Sequence, residues 1–321
     1  MLPVAVDAMG GDNAPGEIVE GARRAADLGI PVLLVGRPDA LGDTGGLEVL
    51  AASQVIAMDA DPGSSVRTLK DSSLVRAAEA VRDGKASAMV SAGNTGAAMA
   101  SALLRMGRIK GVARPAIATP IPNPGATPTV MLDAGANAEC KPEWLVQFAQ
   151  MGAVFAAERF DISAPKVALL SIGEEDTKGS PLVKAAHALL RDARLPDGAT
   201  FVGNVEGRDI MTPAVDVLVT DGFTGNVTLK TLEGAVKMLV SAILGHLGDA
   251  GVLDTTLPHL RGLYEQLDPD STGGAMLLGV DGVCIISHGS SSKIAMGNAV
   301  QVAADMVEHG LIAKLAAAVA A

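Results

Sequence analysis

Short runs of apolar residues recur along the chain, and most of them lack an alternation of apolar and polar positions. Such uninterrupted runs are expected of strands that are covered on both faces, as in parallel α/β sheets. The runs that predict strands are residues 3–7, 31–36, 86–92, 115–121, 129–135, 166–173, 216–222 and 282–289. Together they predict the central layer of the fold.

Segments with helical periodicity lie between these predicted strands. They are residues 15–28, 73–83, 95–107, 142–159, 179–192, 226–247 and 292–309. This alternation predicts an α/β chain with a mostly parallel sheet. No internal repeat or low-complexity linker divides residues 1–321, so we expect one continuous domain with a helical excursion around residues 246–272.

The turn after the first predicted strand, "DAMGGDNAPG", has an unusual composition. It contains the adjacent Gly10 and Gly11, and either Asp12 or Asn13 can cap the following helix. Two adjacent glycines suggest a backbone that another group approaches closely. A strand, a glycine-rich turn and a helix N-terminus together form a common anion site. An ordinary capped turn explains the same residues, and both interpretations stay open.

Six predicted strands end in similar small, polar turns that contain glycine. The turns read "DAMGGD", "SAGNTGA", "LDAGAN", "SIGEEDTKG", "TDGFTGN" and "SHGSS". In an open α/β sheet the carboxyl ends of parallel strands lie along one edge, where ligands bind. We therefore expect these turns to converge on one polar crevice.

These turns carry side chains that suit an anion or an oxyanion. The neutral donors are Asn94, Thr95, Asn137 and Asn226. Lys178 can add positive charge, and His288 is the best general acid or base among the histidines. Helix caps, a solvated lysine and a structural histidine are the ordinary alternatives, and they remain open.

Composition narrows the possible functions. Aromatic residues make up 2% of the chain and its net charge is −11, which argues against general nucleic-acid binding. The two cysteines, Cys140 and Cys284, form no metal-type pair. Glu174, Glu175 and Asp176 are adjacent acids, but three consecutive residues poorly surround one ion, so we expect no metal. Without a signal peptide or an apolar span, we expect a cytoplasmic protein.

Longer strings of the sequence resemble the bacterial phosphate acyltransferases of phospholipid synthesis. The strings are "VAVDAMGGDNAPGEIVEGA", "SAGNTGA", "LDAGAN", "SIGEEDTKGSPL", "FVGNVEGRDI", "DVLVTDGFTGNVTLK" and "GGAMLLGVDGVCIISHGSS". The resemblance implies a three-layer α/β/α fold similar to isopropylmalate dehydrogenases and phosphotransacetylases. It also implies formation of acyl-phosphate from acyl-(acyl carrier protein) and inorganic phosphate, by a homodimer without metal or organic cofactor. The product would feed a membrane glycerol-3-phosphate acyltransferase.

In this scheme phosphate is both ligand and nucleophile, so no covalent acyl-enzyme is required. We expect phosphate to be held by Gly10, Gly11, Asn94, Thr95 and Lys178. Asn204 and Asn226 would orient the thioester or its oxyanion, with His288 as acid or base. The remaining substrate-site candidates are Asp7, Asp12, Asn137 and Asp221, of which Asp7 and Asp221 would position donors because like charges repel. A metal-dependent decarboxylating dehydrogenase and a non-catalytic pathway scaffold remain alternatives.

A basic run suits an acidic carrier protein. The segment "RMGRIKGVAR" supplies Arg105, Arg108, Lys110 and Arg114 without an acid among them. Because acyl carrier proteins are acidic, we expect this run to dock one. A solvated helix end followed by a loop is the alternative.

Residues 254–267 have an apolar helical face. Leu257, Leu260, Tyr264 and Leu267 are spaced by three, four and three residues. The favoured interpretation is a dimer contact or internal packing, because Arg261 alone gives little attraction to anionic lipid. Peripheral association with the inner face of the membrane is the alternative.

Overall fold

The computed structural model describes residues 1–196 and 198–320, in which eleven strands form one sheet. The strands are β1 Val4–Asp7, β2 Val32–Gly36, β3 Glu48–Ala51, β4 Ala88–Ser91, β5 Ala116–Ile121, β6 Thr129–Leu132, β7 Lys166–Leu170, β8 Thr200–Val205, β9 Val217–Val219, β10 Ala275–Leu278 and β11 Val283–Ile286. All eight predicted strands are confirmed. The sequence missed β3 and β8, the partly exposed edge strands, and β10, which follows two glycines with positive φ.

The order across the sheet is β3-β2-β1-β4-β11-β10-β5-β6-β9-β7-β8. Seven of the ten pairings between these strands are parallel, which confirms the predicted mostly parallel sheet. The other three involve β10 or β5 and are antiparallel. The strands from β6 to β9 therefore run opposite to β1–β4 and β11. The expectation that every strand's carboxyl end shares one edge is wrong, because three antiparallel pairings reverse the direction midway.

Ten α-helices accompany the described strands. They are α1 Gly16–Asp27, α2 Pro62–Thr68, α3 Ser73–Arg82, α4 Thr95–Arg105, α5 Pro142–Phe160, α6 Pro181–Asp192, α7 Gly222–Asp249, α8 Leu253–Leu267, α9 Lys293–Glu308 and α10 Leu311–Ala320. Val4 and Val6 face one hydrophobic core, while Ala5 between them faces a second. Helices α1, α5 and α9 contribute to the first core, and α3 and α4 to the second. This arrangement is the expected three-layer α/β/α fold.

Helix α1 begins differently from the sequence prediction. Pro15 occupies its N-cap position, and no side chain caps the helix. Asn13 instead donates its side-chain amide to Ser290 O at 3.2 Å. The expected capping by Asp12 or Asn13 is therefore wrong, because this turn is tied to the loop after β11.

Helices α7 and α8 form the expected helical excursion and stand apart from the cores. Among the 28 residues of α7 only Gly222 and Gly225 are buried, and α8 has no buried residue. Met238 and Tyr264 are more than half exposed. Internal packing of the 254–267 face is therefore wrong within one copy of the chain. No described helix has the length and apolar character needed to cross a membrane.

Candidate functional site

The turns after β1, β4 and β11 form what we call the first loop cluster, residues 7–13, 91–95 and 287–291. A side chain at Gly10 would lie 2.5 Å from Asp7 Oδ2 and 2.8 Å from Gly93 Cα. Gly11 adopts a φ of 113°, and the next backbone N–H, that of Asp12, donates to Gly289 O at 2.7 Å. The close approach of these backbones explains why two glycines follow each other here.

Asp7 is buried beneath this cluster and does not reach solvent. Its carboxylate accepts from Ser91 Oγ at 2.7 Å and from the Met9 backbone N–H at 3.3 Å, and the Ser73 side chain and the Gly10 backbone N–H are further donors beside it. Burial raises the pKa of Asp7, and these hydrogen bonds lower it again in part. Asp7 is thus enclosed by protein donors, and its expected role in positioning them stays a prediction.

Asn94 and Thr95 differ in whether their side chains can still hydrogen-bond to a ligand. Asn94 Oδ1 caps α4 by accepting from Ala97 N, and its Nδ2 donates to Met58 O and Ala60 O. The direct phosphate contact expected of the Asn94 side chain is therefore wrong, because both halves of its amide are occupied. Thr95 is exposed at the start of α4 and remains available to an anion.

The second loop cluster comprises residues 133–137 and 220–226, which follow β6 and β9. Asp133 is buried at its centre and accepts from four backbone N–H groups and the Asn137 side chain. Burial raises the pKa of Asp133, and these donors oppose that shift. Five donors around one carboxyl group suit its ionised form, which only accepts hydrogen bonds.

Asn137 has no side-chain donor left for a substrate. Its Nδ2 donates to Pro115 O and to Asp133 Oδ2, each at 2.8 Å. The expected substrate contact through this amide N–H is therefore wrong. Asn137 stabilises the turn instead, and its backbone O accepts from the Gly222 N–H at the start of α7.

The first turn of α7 presents Asn226 to solvent. Asp221 caps this helix by accepting from the N–H and hydroxyl of Thr224. Gly225 packs so closely on Asp133 O that a side chain there would collide with it. Asn226 Nδ2 donates to Ala134 O at 3.1 Å, and the residue is otherwise exposed.

Helix α7 joins the two loop clusters. Lys230 lies one turn beyond Asn226, about 6 Å along the helix axis. Its Nζ is 3.2 Å from Nε2 of His288, which belongs to the first loop cluster, and 2.8 Å from Glu233 Oε2. Sequence reasoning missed Lys230 and Glu233, although the four-residue spacing from Asn226 in "NVTLK" places Lys230 on the same helical face.

The 171–180 loop after β7 lies beside the second loop cluster. Lys178 is exposed in it, and its backbone N–H donates to Glu175 O at 2.9 Å. Asn204 is only 5% exposed, with Nδ2 donating to Glu175 O and Oδ1 lying 3.0 Å from His187 Nδ1. The expected thioester contact by Asn204 is therefore wrong, because its amide is enclosed behind this loop.

A cleft of about 660 Å³ opens between the second loop cluster and the start of α6. Its lining residues are Ala138, Glu139, Cys140, Ser180, Leu182, Asp221, Phe223 and Thr224. Burial, reinforced by the negative charge of Asp133, raises the pKa of Cys140 to about 12. The Cys140 thiol therefore stays protonated near neutral pH and is a poor nucleophile.

The basic run after α4 is not one continuous patch. Arg105 points towards Glu79, with Nε 3.5 Å from its carboxylate, so the docking role expected of Arg105 is wrong. Arg108 donates to Val112 O and Ala113 O and stabilises that loop. Lys110 is exposed, and the Arg114 guanidinium lies 5.0 Å from the centre of the Trp144 ring. Of the basic run, Arg114 therefore places its charge against Trp144.

Two of the three acidic residues of the 171–180 loop lie near basic side chains. Glu174 lies 3.4 Å from Arg208, and Asp176 lies 3.4 Å from His187. Within residues 1–196 and 198–320, no three His, Cys, Asp or Glu side chains are grouped to hold a metal ion.

The sequence matches a known family over almost its whole length. The profile of the family described as "Fatty acid synthesis protein" matches residues 2–314. A protein of Heliobacterium modesticaldum named "Phosphate acyltransferase" is 49% identical, with 98% of this chain and 96% of that protein covered.

The fold resembles solved structures of more distant sequence. A phosphotransacetylase from Streptococcus pyogenes has a TM-score of 0.64 at 16% identity, covering 96% of this chain and 94% of its own. A branched-chain phosphotransacylase from Enterococcus faecalis has a TM-score of 0.63 at 16% identity, covering 96% of this chain and 100% of its own. These likenesses confirm the expected similarity to the phosphotransacetylase fold.

Proposed function

The chain belongs to the phosphate acyltransferase family of fatty acid synthesis proteins, and from this premise we propose that it moves an acyl group from acyl carrier protein to inorganic phosphate. The acyl-phosphate product would enter membrane phospholipid synthesis through a glycerol-3-phosphate acyltransferase. The observation that carries this proposal is the contact of 3.2 Å between Lys230 and His288. Through this contact, the ammonium group of Lys230 and the imidazole of His288 meet between the first and second loop clusters.

The proposed reaction is a direct displacement. An oxygen of phosphate bonds to the thioester carbon while the carbonyl electrons move onto the carbonyl oxygen. Their return breaks the carbon–sulfur bond and releases the carrier-protein thiol. His288 takes the proton from the attacking phosphate and returns it to the leaving sulfur, and Lys230 offsets the charge of phosphate.

The two loop clusters take different parts in this proposal. Gly10 is buried and its backbone N–H is directed to Asp7, so the phosphate contact expected of Gly10 is not used. Thr95 and the backbone of Gly11 supply donors for phosphate on the side of His288. Asn226 supplies an amide N–H for the oxyanion that develops on the thioester. Lys178, exposed on the 171–180 loop, supplies further positive charge to phosphate. The thioester lies in the cleft beside Phe223.

A direct displacement fits the nucleophiles that line the cleft. Cys140 has a pKa of about 12 and is therefore a protonated thiol. Ser180 is the N-cap of α6, where its Oγ accepts from the Val183 N–H. Neither group is set up to attack a thioester, which supports phosphate as the nucleophile.

The carrier protein would dock on the charge around Trp144. A groove of about 590 Å³ is lined there by Leu103, Arg108, Ala113, Arg114, Pro115 and Trp144. The Lys141 ammonium lies 5.9 Å from the Trp144 ring on the same surface. In a chain with net charge −11, this patch suits an acidic protein better than the rest of the surface does.

The α7–α8 pair would serve as the dimer surface of a single-domain protein. Its exposed apolar side chains, such as Met238 and Leu257, favour burial against a second copy of the chain. The Leu257→Glu variant should then dissociate the dimer. Loss of liposome binding from an intact dimer would instead assign Leu257, Leu260, Tyr264 and Leu267 to peripheral attachment at the cytoplasmic membrane face.

The proposed reaction is tested by trapping its product. Enzyme, acyl carrier protein thioester and phosphate are mixed, and hydroxylamine then converts acyl-phosphate to a hydroxamate. We expect hydroxamate only when phosphate and enzyme are both present. Thioester consumption that ignores phosphate would contradict the proposal, and nicotinamide reduction in the presence of Mg²⁺ would favour the dehydrogenase alternative.

A further inference from the structure

A chain of buried polar contacts lies behind the 171–180 loop, outside the groups that the proposed reaction uses. His187 of α6 has Nδ1 3.0 Å from Asn204 Oδ1 and Nε2 3.4 Å from Asp176 Oδ1. Asn204 of β8 donates from Nδ2 to Glu175 O at 2.9 Å. His187 and Asn204 are both almost fully buried. Helix, strand and loop are thus linked through two side chains.

The chemistry of the partners fixes the direction of each hydrogen bond. A backbone carbonyl can only accept, so the NH₂ of Asn204 must face Glu175 O. Asn204 Oδ1 is then the acceptor, and His187 must carry its proton on Nδ1 to donate to it. The Phe201 ring packs edge-on against the imidazole with 5.1 Å between their centroids. The ring therefore has one favourable orientation.

The same carbonyl determines where Lys178 lies. Glu175 O accepts from Asn204 Nδ2 and also from the Lys178 backbone N–H, at 2.9 Å in each case. The loop chain also turns back on itself, because a side chain at Gly173 would lie 2.9 Å from Lys178 Cγ. A shift of Glu175 would therefore move Lys178.

We propose that His187 and Asn204 are positioning residues that hold the 171–180 loop and thereby present Lys178 to the anionic substrate. We call this pair the His187–Asn204 lock. The inference rests on the proposed function, in which Lys178 supplies charge to phosphate. It assigns to Asn204 an indirect role that acts through Glu175, and it gives the buried histidine of α6 a part in substrate binding.

Three variants separate positioning from simple packing. His187→Phe keeps a ring against Phe201 but removes both nitrogen contacts. His187→Asn places an amide N–H near the former Nδ1 and should restore the bond to Asn204. Leu190→Ala removes a fully buried side chain from the same helix, so it lowers stability while keeping both polar contacts of His187.

The kinetic readout is the KM for phosphate in the hydroxamate assay. We expect His187→Phe to raise it about tenfold with a smaller change in kcat, and His187→Asn to recover most of that loss. Leu190→Ala should lower Tm and leave the phosphate KM unchanged. Combining His187→Phe with Lys178→Met should add little to Lys178→Met alone. A wild-type phosphate KM in His187→Phe would overturn the inference.

A second readout does not depend on activity. Trypsin cleaves after lysine, and Lys178 is exposed in the loop that the lock holds. We expect cleavage after Lys178 to be about tenfold faster in His187→Phe than in Leu190→Ala, because local opening controls the rate. Equal rates would overturn the lock. A wild-type enzyme that forms no acyl-phosphate would refute the proposed function, and cleavage would still decide the lock.

Discussion

The two loop clusters share a plan but differ in how their donors are used. Each has a buried aspartate after a strand and a glycine packed closely on it, Gly10 on Asp7 and Gly225 on Asp133. Asp7 accepts from Ser91 Oγ and the Met9 backbone N–H, with the Ser73 side chain and the Gly10 backbone N–H as further donors beside it. Asp133 accepts from four backbone N–H groups and one amide.

In the proposed reaction, the second loop cluster is the structural frame and the first is the phosphate-binding surface. The donors of the second loop cluster are consumed by Asp133, so this cluster fixes the start of α7 and leaves Asn226 exposed. The first loop cluster leaves Thr95 exposed at the start of α4. Lys230 then connects the two, because it lies on α7 and contacts His288.

The largest effect is expected where the two clusters meet. Lys230→Met removes the cation beside His288, and we expect kcat/KM for phosphate to fall about 10²–10³-fold. Lys237→Met is the matched control, since Lys237 is an exposed lysine two turns further along α7. Steady-state kinetics at limiting phosphate measure both variants. Similar kinetics in the two variants would remove Lys230 from the site.

The two aspartates should differ in their effect on stability. Asp133→Asn places an NH₂ group among five donors, and we expect it to lower the free energy of unfolding by about 3 kcal/mol. Asp7→Asn keeps an oxygen for Ser91, and we expect a loss of about 1 kcal/mol or less. Urea denaturation provides the comparison. Equal losses would contradict the distinction between frame and binding surface.

The pH dependence of stability sharpens the same comparison. Burial raises the pKa of Asp7 above 3.8, so its folded form keeps a proton that the unfolded form has lost. The stability from this proton is present below pH 3.8 and is lost as the pH rises through the folded pKa. The Tm of Asp7→Asn relative to wild type should therefore rise with pH above 3.8. A constant difference in Tm would mean that the Asp7 pKa is not raised.

The smallest effect is expected at the carrier-protein surface. Joint substitution of Lys110→Glu and Arg114→Glu should weaken carrier-protein binding about tenfold and reduce its salt dependence. Arg105→Gln is the control, because Arg105 is turned towards Glu79. Titration of the carrier protein at two salt concentrations tests both. Weaker binding in Arg105→Gln alone would restore the continuous basic run.

The sequence predicted the elements far better than the side-chain contacts. Apolar runs identified every strand that is covered on both faces except β10, and the apolar spacing of residues 254–267 identified α8. The reversal of strand direction was not visible, because a single sequence does not show which strands pair. Asn94 and Asn204 have the right chemistry for a substrate, but long-range partners such as Met58 O and His187 occupy their amides.

Lys230 was overlooked in the sequence, whereas Asn94 and Asn204 were wrongly expected to contact the substrate. Its place on α7 could be predicted from its spacing to Asn226, yet its role depends on His288, 58 residues away in sequence. The same limit applies to Arg105, whose charge is offset by Glu79 from another helix. Local sequence therefore identified side chains of suitable chemistry. Only the tertiary contacts showed which of them are not already bonded to other protein groups.

The central claim is that phosphate attacks the thioester directly. Its most direct test follows the acyl carrier protein thioester and the intact mass of the enzyme together, with and without phosphate. We predict thioester loss only with phosphate, one acyl-phosphate for each thiol released, and an enzyme of unchanged mass. Thioester loss without phosphate, together with an acyl group added to Cys140, would contradict the account.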